Sequence, residues 1–252
     1  MKNFAYIFTI FVIILLFEPK CIPQSVISLE TGSVFTGYSD VRIPGDLGTF
    51  FSLKDDLKAK TEFFYRLKLS YIFKSRHTIS LLYAPLKTKS SGKTDKDIIF
   101  VGTVFPANND LEGIYKFNSY RLTYRYDIIQ KPHFEFGLGF TAKIRDASIS
   151  LSSGNLYAEK TNVGFVPIIN FRLLYNVDNK IGLLLDGDAL AAPQGRAEDV
   201  LFALTYKLND KFKIIAGYRV LEGGADNDVV YNFALFHYAS LGISYTFLNY
   251  KK

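Results

Sequence analysis

Past residue 25 the chain alternates apolar and polar positions with a period of two, and helical spacing of apolar residues is scarce. In 120–128, Tyr120, Leu122, Tyr124, Tyr126 and Ile128 fall on one face, with Arg121, Thr123 and Arg125 on the other. In 134–144, Phe134, Phe136, Leu138, Phe140, Ala142 and Ile144 oppose Glu135, Gly137, Gly139, Thr141 and Lys143. Residues 63–73 set Phe63, Tyr65, Leu67, Leu69, Tyr71 and Phe73 against Arg66, Lys68 and Ser70, and 212–220 repeat the arrangement. Successive side chains of a strand point to opposite faces, so these stretches predict strands with one wholly apolar face.

Such alternation suits a sandwich with its apolar face inward or a membrane barrel with its apolar face toward lipid. Three features favour the barrel. The bands are about 9–11 residues long, enough for a tilted strand to cross a bilayer. The apolar faces are rich in Tyr and Phe, as interfacial belts require. Connections alternate in length: short turns at 74–77, 130–132, 177–179 and 208–210, longer polar segments at 42–61, 87–114, 152–158, 191–198 and 222–231. Ten crossings are predicted, at 26–38, 62–73, 78–86, 115–128, 133–151, 159–175, 180–190, 199–208, 211–221 and 231–247, with eight and twelve as alternatives. An even count puts both chain ends in the periplasm, together with the four short turns. Residues 97–105 read as the return arm of an external hairpin. Val229 to Tyr250 lack any Asp, Glu, Lys or Arg, yet the alternation of Phe233, Leu235, Ala239, Leu241 and Ile243 with Asn232, Ala234, Ser240, Gly242 and Ser244 reads as a strand. The fold class expected is therefore all-β: a transmembrane, antiparallel, up-and-down β-barrel over residues 25–252.

Residues 1–24 have a different pattern. Lys2 precedes an apolar run from Phe4 to Phe17 and then a polar stretch, the layout of a secretory signal peptide. The run is too short for a spanning helix. Cys21 lacks the preceding Leu and small residues of a lipidation site. Removal near Ser25 would leave no thiol in the mature chain, as suits an exported protein. The whole pattern, closing on the terminal aromatic strand Tyr245-Thr246-Phe247, resembles Gram-negative outer-membrane β-barrel proteins. Runs such as Phe117-Asn118-Ser119-Tyr120-Arg121 and Glu222-Gly223-Gly224-Ala225-Asp226 look like signatures of an uncharacterised outer-membrane group. The resemblance implies residence in the outer membrane, contact with its lipid and lipopolysaccharide, insertion through the machinery that reads the C-terminal strand, and a monomer.

Composition adjusts this picture in two places. Of 252 residues, 30 are Lys or Arg and 24 Asp or Glu, a net charge of +6. The basic excess lies on the polar faces of strands, which argues for a filled lumen rather than a nucleic-acid stripe, so no nucleic-acid partner is expected. One Cys and three His leave little for metal or histidine chemistry, and no metal or cofactor is expected.

The candidate chemistry lies at the strand ends and in the lumen. Arg145, Asp146, Asp188, Arg196, Glu198, Asp199, Arg219, Glu222 and Asp226 are placed on the external rim, with a β-bulge expected at Arg145-Asp146-Ala147, where the alternation slips. Glu30, Arg66, Lys68, Arg121, Arg125, Glu135, Lys143, Arg172 and Asp186 are assigned to the lumen. His237 falls on the lipid-facing register, away from any catalytic rim. Three functions are compatible with this reading. The first is a structural or interaction barrel with ligand-facing external loops. The second is a surface enzyme acting on lipid A or peptides with rim carboxylates and arginines. The third is a narrow anion or small-solute channel. Ten strands enclose a lumen that side chains can largely fill, which disfavours an open porin.

Overall fold

A computed structural model describes residues 23–192 and 195–247. Residues 1–22 of the proposed signal segment lie outside them, and its last residue, Gln24, begins the first strand. Ten strands form the wall: β1 (Gln24–Arg42), β2 (Glu62–Phe73), β3 (His77–Ala84), β4 (Leu111–Gln130), β5 (Phe134–Ser153), β6 (Leu156–Asn176), β7 (Ile181–Ala192), β8 (Gly195–Lys207), β9 (Phe212–Asp226) and β10 (Tyr231–Phe247). Each pairs antiparallel with its neighbours in sequence, and β10 returns to β1 with Ser25 opposite Phe247. The ring is closed, so no sheet edge runs its full length, and the expected ten crossings are all present. The charge-free stretch after Val229 is strand β10, and no described helix is long and apolar enough to cross a membrane.

Outer and inner faces sort as the alternation predicts. Phe140, Leu122, Phe202, Leu204 and Leu241 lie on the outer wall and are each more than half exposed. An apolar band of this extent around a barrel is a lipid-facing surface. Tyrosines and phenylalanines edge it. Tyr71, Tyr126, Tyr175, Tyr206, Phe212 and Phe247 lie toward the end that carries the short turns and both described chain ends. Toward the opposite, loop end, Tyr83 lies between Tyr65 and Tyr120, with ring centroids 6.2 and 5.2 Å apart.

The external segments differ from expectation. Three of the five regions taken as longer loops are strand: 152–158 and 222–231 are hairpin tips on β5–β6 and β9–β10, and β7 and β8 pair as far as Ala192 opposite Gly195. The strands continue beyond the lipid band, where outward positions turn polar and the apolar alternation fades. Among the described residues only 43–61 and 85–110 are substantial loops. They fold back into the mouth, where residues 51–52 pair with β1, 87–92 pair with β4, and 98–100 form a hairpin with 103–105, a two-stranded sheet separate from the wall.

That inward folding inverts the pattern. Within the band the interior is polar. Above it, the same inward register carries Val34, Leu111, Tyr115, Ile149, Leu151, Leu221 and Phe236, which pack with Phe51, Leu53, Leu57, Ile98, Phe100 and Phe105 from the loops into an apolar cap. The expected bulge at Arg145 is thereby corrected. β5 keeps a continuous register with β4 and β6 through 145–147, and its irregularity lies between Phe136 and Gly137. Ala147, Ile149 and Leu151 hold the same inward phase as Arg145. What changes at Arg145 is the environment, from polar lumen to apolar cap, and the strand phase is unbroken.

One backbone position is closely constrained. Gly32 in β1 has φ of 145°, and a Cβ there would sit 2.0 Å from the Ala239 carbonyl oxygen. Gly32→Ala is expected to lower stability by about 1–3 kcal/mol, read as an earlier urea midpoint of the barrel in lipid vesicles.

Candidate functional site

The lumen is crossed at mid-height by a layer of paired charges. Asp199 on β8 is its centre. Its Oδ2 accepts from Arg66 Nη2 at 2.9 Å and Arg121 Nη2 at 2.5 Å, and its Oδ1 from Arg219 Nη1 at 2.5 Å. Arg219 turns its other edge to Glu30, donating from Nε and Nη2 at 2.7 Å each. Arg121 Nη1 donates to Asp188 at 2.6 Å, and Asp188 also accepts from Thr141 and Asn170 at 2.7 and 2.9 Å. Ser240 donates to Glu30 at 2.7 Å. Nine of the ten strands, all but β3, contribute a side chain, and Asp199 is 2% exposed.

The layer forms because each strand places one inward residue at this level, and the register sets complementary residues opposite one another. Glu30 stands opposite Arg66 and Asp188 opposite Asn170, while the two carboxylates Asp188 and Asp199, also opposite one another, are bridged by Arg121. Charge-assisted and bidentate bonds of this kind are strong when water is excluded. Beneath the layer a vestibule of about 760 Å³ opens toward the end with the short turns. Its walls carry further pairs: Lys68–Asp186 at 3.3 Å, Arg125–Asp127 at 3.0 Å and Arg172–Glu135 at 3.1 Å. Above it, Phe64 and Tyr238 meet edge-on at 4.7 Å and begin the apolar cap.

The rim assignment needs correction at three residues. Asp188, Asp199 and Arg219 are buried in the central layer, because the strands continue well past the level at which the sequence placed the mouth. Arg196 and Glu222 do come together, on the outer wall above the lipid band. Arg196 Nε bonds both carboxylate oxygens of Glu222 at 2.8 and 2.7 Å, Tyr38 donates to the same carboxylate, and the guanidinium lies 4.8 Å from the Phe233 ring centroid. Burial, and then the bond to Glu222, push the Tyr38 phenol above its ordinary pKa, while the Glu222 bond raises that of Arg196. Asp146 also faces outward. It accepts from Lys116 at 3.0 Å and Asn118 at 3.3 Å, and the Lys116 bond holds its carboxyl below the usual range. Glu198 and Asp226 are exposed; Glu198 stands opposite Glu222 in the β8–β9 register, and no ion pair of either is found among the described residues.

Arg145 and Lys143 face inward, above the central layer. Arg145 bonds Asn162 across to β6. Lys143, assigned to the lumen, is 2% exposed and lies over the Phe117 ring at 4.8 Å. Both line a second cavity, of about 340 Å³. His237 lies on the outer wall as expected and shares a hydrogen bond with Tyr218. Thr141, Asn170 and Ser240, which complete the central layer, were passed over in the sequence. Their only signal was a polar residue at an inward position, which ordinary lumen-facing residues share.

A closed antiparallel barrel with an apolar outer band, aromatic edges and a charged lumen defines the fold of Gram-negative outer-membrane β-barrel proteins. Comparison with solved structures agrees. The outer membrane protease OmpT of Escherichia coli superposes with a TM-score of 0.61, covering 89% of this chain and 97% of its own, at 9% sequence identity. The translocator domain of the autotransporter NalP from Neisseria meningitidis covers 98% and 96% at 10% identity, with a TM-score of 0.43. Ail, the attachment invasion locus protein of Yersinia pestis, solved in complex with the heparin analogue sucrose octasulfate, covers 90% and 100% at 15% identity, with a TM-score of 0.40. At such identities the likeness is one of fold alone. No family model matches the chain, and no curated protein matches it.

Proposed function

We propose that the chain is an integral outer-membrane barrel with a structural or interaction role, sealed against conduction, whose external face is a folded cap. The observation that carries this reading is the central layer, in which Arg66, Arg121 and Arg219 are matched by Glu30, Asp188 and Asp199 across the lumen. Side chains so paired fill the cross-section and leave no continuous water path. The loop-end carboxylates Asp146 and Glu222 are likewise engaged by Lys116 and Arg196, which supports an anchoring role for them over an acid–base one. On this reading the apolar band contacts outer-membrane lipid, the cap faces lipopolysaccharide, the closing strand ending at Phe247 engages the insertion machinery, and the barrel acts as a monomer.

Planar-bilayer recording tests the sealing. Purified, folded barrel is expected to give no discrete conductance steps. Reproducible steps from the wild-type protein would overturn the sealed reading in favour of a channel.

A further inference from the structure

The cavity above the central layer has a composition that the sealed barrel does not need. The layer itself is balanced, three guanidinium groups against three carboxylates. Lys143 lies directly above it, with its backbone opposite Arg121 and Val166, and adds a positive charge for which the layer holds no ion-pair partner, its carboxylates being bonded to the arginines. Among the described residues no carboxylate forms an ion pair with it; its ammonium lies over the Phe117 ring, and Asp188 and Asp199 act on it only at longer range. Arg145, two residues on, has Asn162 as its side-chain partner, and its Nε is buried without one. Lys160 completes a basic side to the cavity. A buried cation without a counter-charge is costly, and an anionic group placed against it removes the cost.

The rest of the cavity is mostly apolar, with the paired Arg196 and Glu222 and the side chains of Ser148, Asn227 and Asn232 among its polar positions. Phe117, Ile149, Val166, Leu190, Leu221 and Phe236 line it. At about 340 Å³ it falls at the small end of ligand sites. The wall beside it is also incomplete. β6 pairs with β7 only from Ile169 opposite Ala189 downward, so among the described residues its segment 156–168 pairs with β5 alone. The wall therefore steps down between β6 and β7 beside the cavity, and the outer face of the step carries Val163 and Phe165, 71% and 65% exposed. Phe165 on the outer face and Val166 on the cavity side stand at this step, across the strand pair from Ile144 and Lys143 of β5.

We infer that this cavity binds a single-chain amphiphile with an anionic head, entering from the membrane side through the step between β6 and β7. The head, a carboxylate or phosphate monoester, pairs with Lys143 and Arg145, and the hydrocarbon lies against Phe117, Val166 and Leu190. This inference rests on the sealed, interaction-type reading above and names the ligand class of that barrel.

Displacement of a fluorescent fatty acid from the intact barrel in nanodiscs tests it, with laurate, dodecyl phosphate, dodecanol and dodecyltrimethylammonium as competitors. Laurate or dodecyl phosphate is expected to compete, and the difference between them identifies the preferred head. Dodecanol and dodecyltrimethylammonium are expected to compete at least tenfold more weakly. Affinity should rise about fourfold per methylene from octanoate until the cavity is filled. Lys143→Met is expected to lose at least tenfold in laurate affinity, with Lys143→Arg restoring most of it. Val166→Trp fills the entrance while leaving the Lys143 charge in place and should abolish binding, which keeps the test decisive if Lys143→Met does not fold. Equal competition by dodecanol, or unchanged laurate affinity in Val166→Trp, would overturn the inference. Silent bilayers with no laurate binding would refute the ligand site alone, whereas conductance steps would refute the sealed reading.

Discussion

Asp199→Ala is expected to be among the most damaging single substitutions in the barrel, lowering its stability by about 3–5 kcal/mol, the loss typical when one partner of a buried ion pair is removed. Asp199 bonds Arg66, Arg121 and Arg219. Without it, three buried guanidinium groups share Glu30 and Asp188. Urea unfolding in lipid vesicles measures the effect as an earlier midpoint at a similar slope. Glu198→Ala, one residue away on the exposed outer face, is the control and should lie within about 0.5 kcal/mol of wild type. Asp199→Leu combined with Arg219→Leu should cost less than the two single changes together, because removing both partners leaves fewer charges stranded. Equal effects of Asp199→Ala and Glu198→Ala would mean that the central layer does not bear on stability.

Leu241→Arg carries the second large effect. Leu241 is on the outer wall of β10, midway between its lipid edges, and is 55% exposed. In water an arginine there would be harmless. In a bilayer the charge must be placed in hydrocarbon, at a cost of about 2–4 kcal/mol near the midplane. Leu47→Arg makes the contrast: Leu47 is 80% exposed in the 43–61 loop, outside the band, and its replacement should be close to neutral. The two residues are alike in type and both exposed, so only the presence of lipid around β10 separates them. The comparison is made by urea titration of both variants in vesicles of one lipid composition.

The wall was legible in the sequence because lipid enforces it. Every outward position within the band must be apolar and every inward one can be polar, so each crossing announces itself by a period of two, and closure makes the count even. Legibility failed where that constraint lapses. Beyond the band, outward positions may be polar, and the strand tips at 152–158 and 222–231 read as loops although their backbones pair. At Arg145 the inward residues turn apolar because loops 43–61 and 85–110 fold over them, a tertiary event with no local signature, so a change of surroundings read as a slip of phase. The candidate charges were the right residues at partly the wrong height. Glu30, Arg66 and Arg121 were placed in the lumen and lie there, but Asp188 and Asp199 were assigned to the rim because the length of strand above them was not visible. The contrast between balanced charges in the layer and the unmatched Lys143 depends on cross-strand distances between residues far apart in sequence. No pattern along the chain carries that information.

The central claim is that the aromatic and aliphatic face meets lipid while the opposite face is sealed within the barrel. The chain has no Trp, so a single introduced indole reports its own surroundings without background. Leu204→Trp places one on the outer wall and Phe117→Trp places one inside, above the central layer. Quenching by brominated lipid in folded, vesicle-inserted protein is the measurement. The Leu204→Trp indole is expected to be strongly quenched and that of Phe117→Trp to be spared. Equal quenching of both, or protection of the Leu204→Trp indole in the folded barrel, would contradict the account.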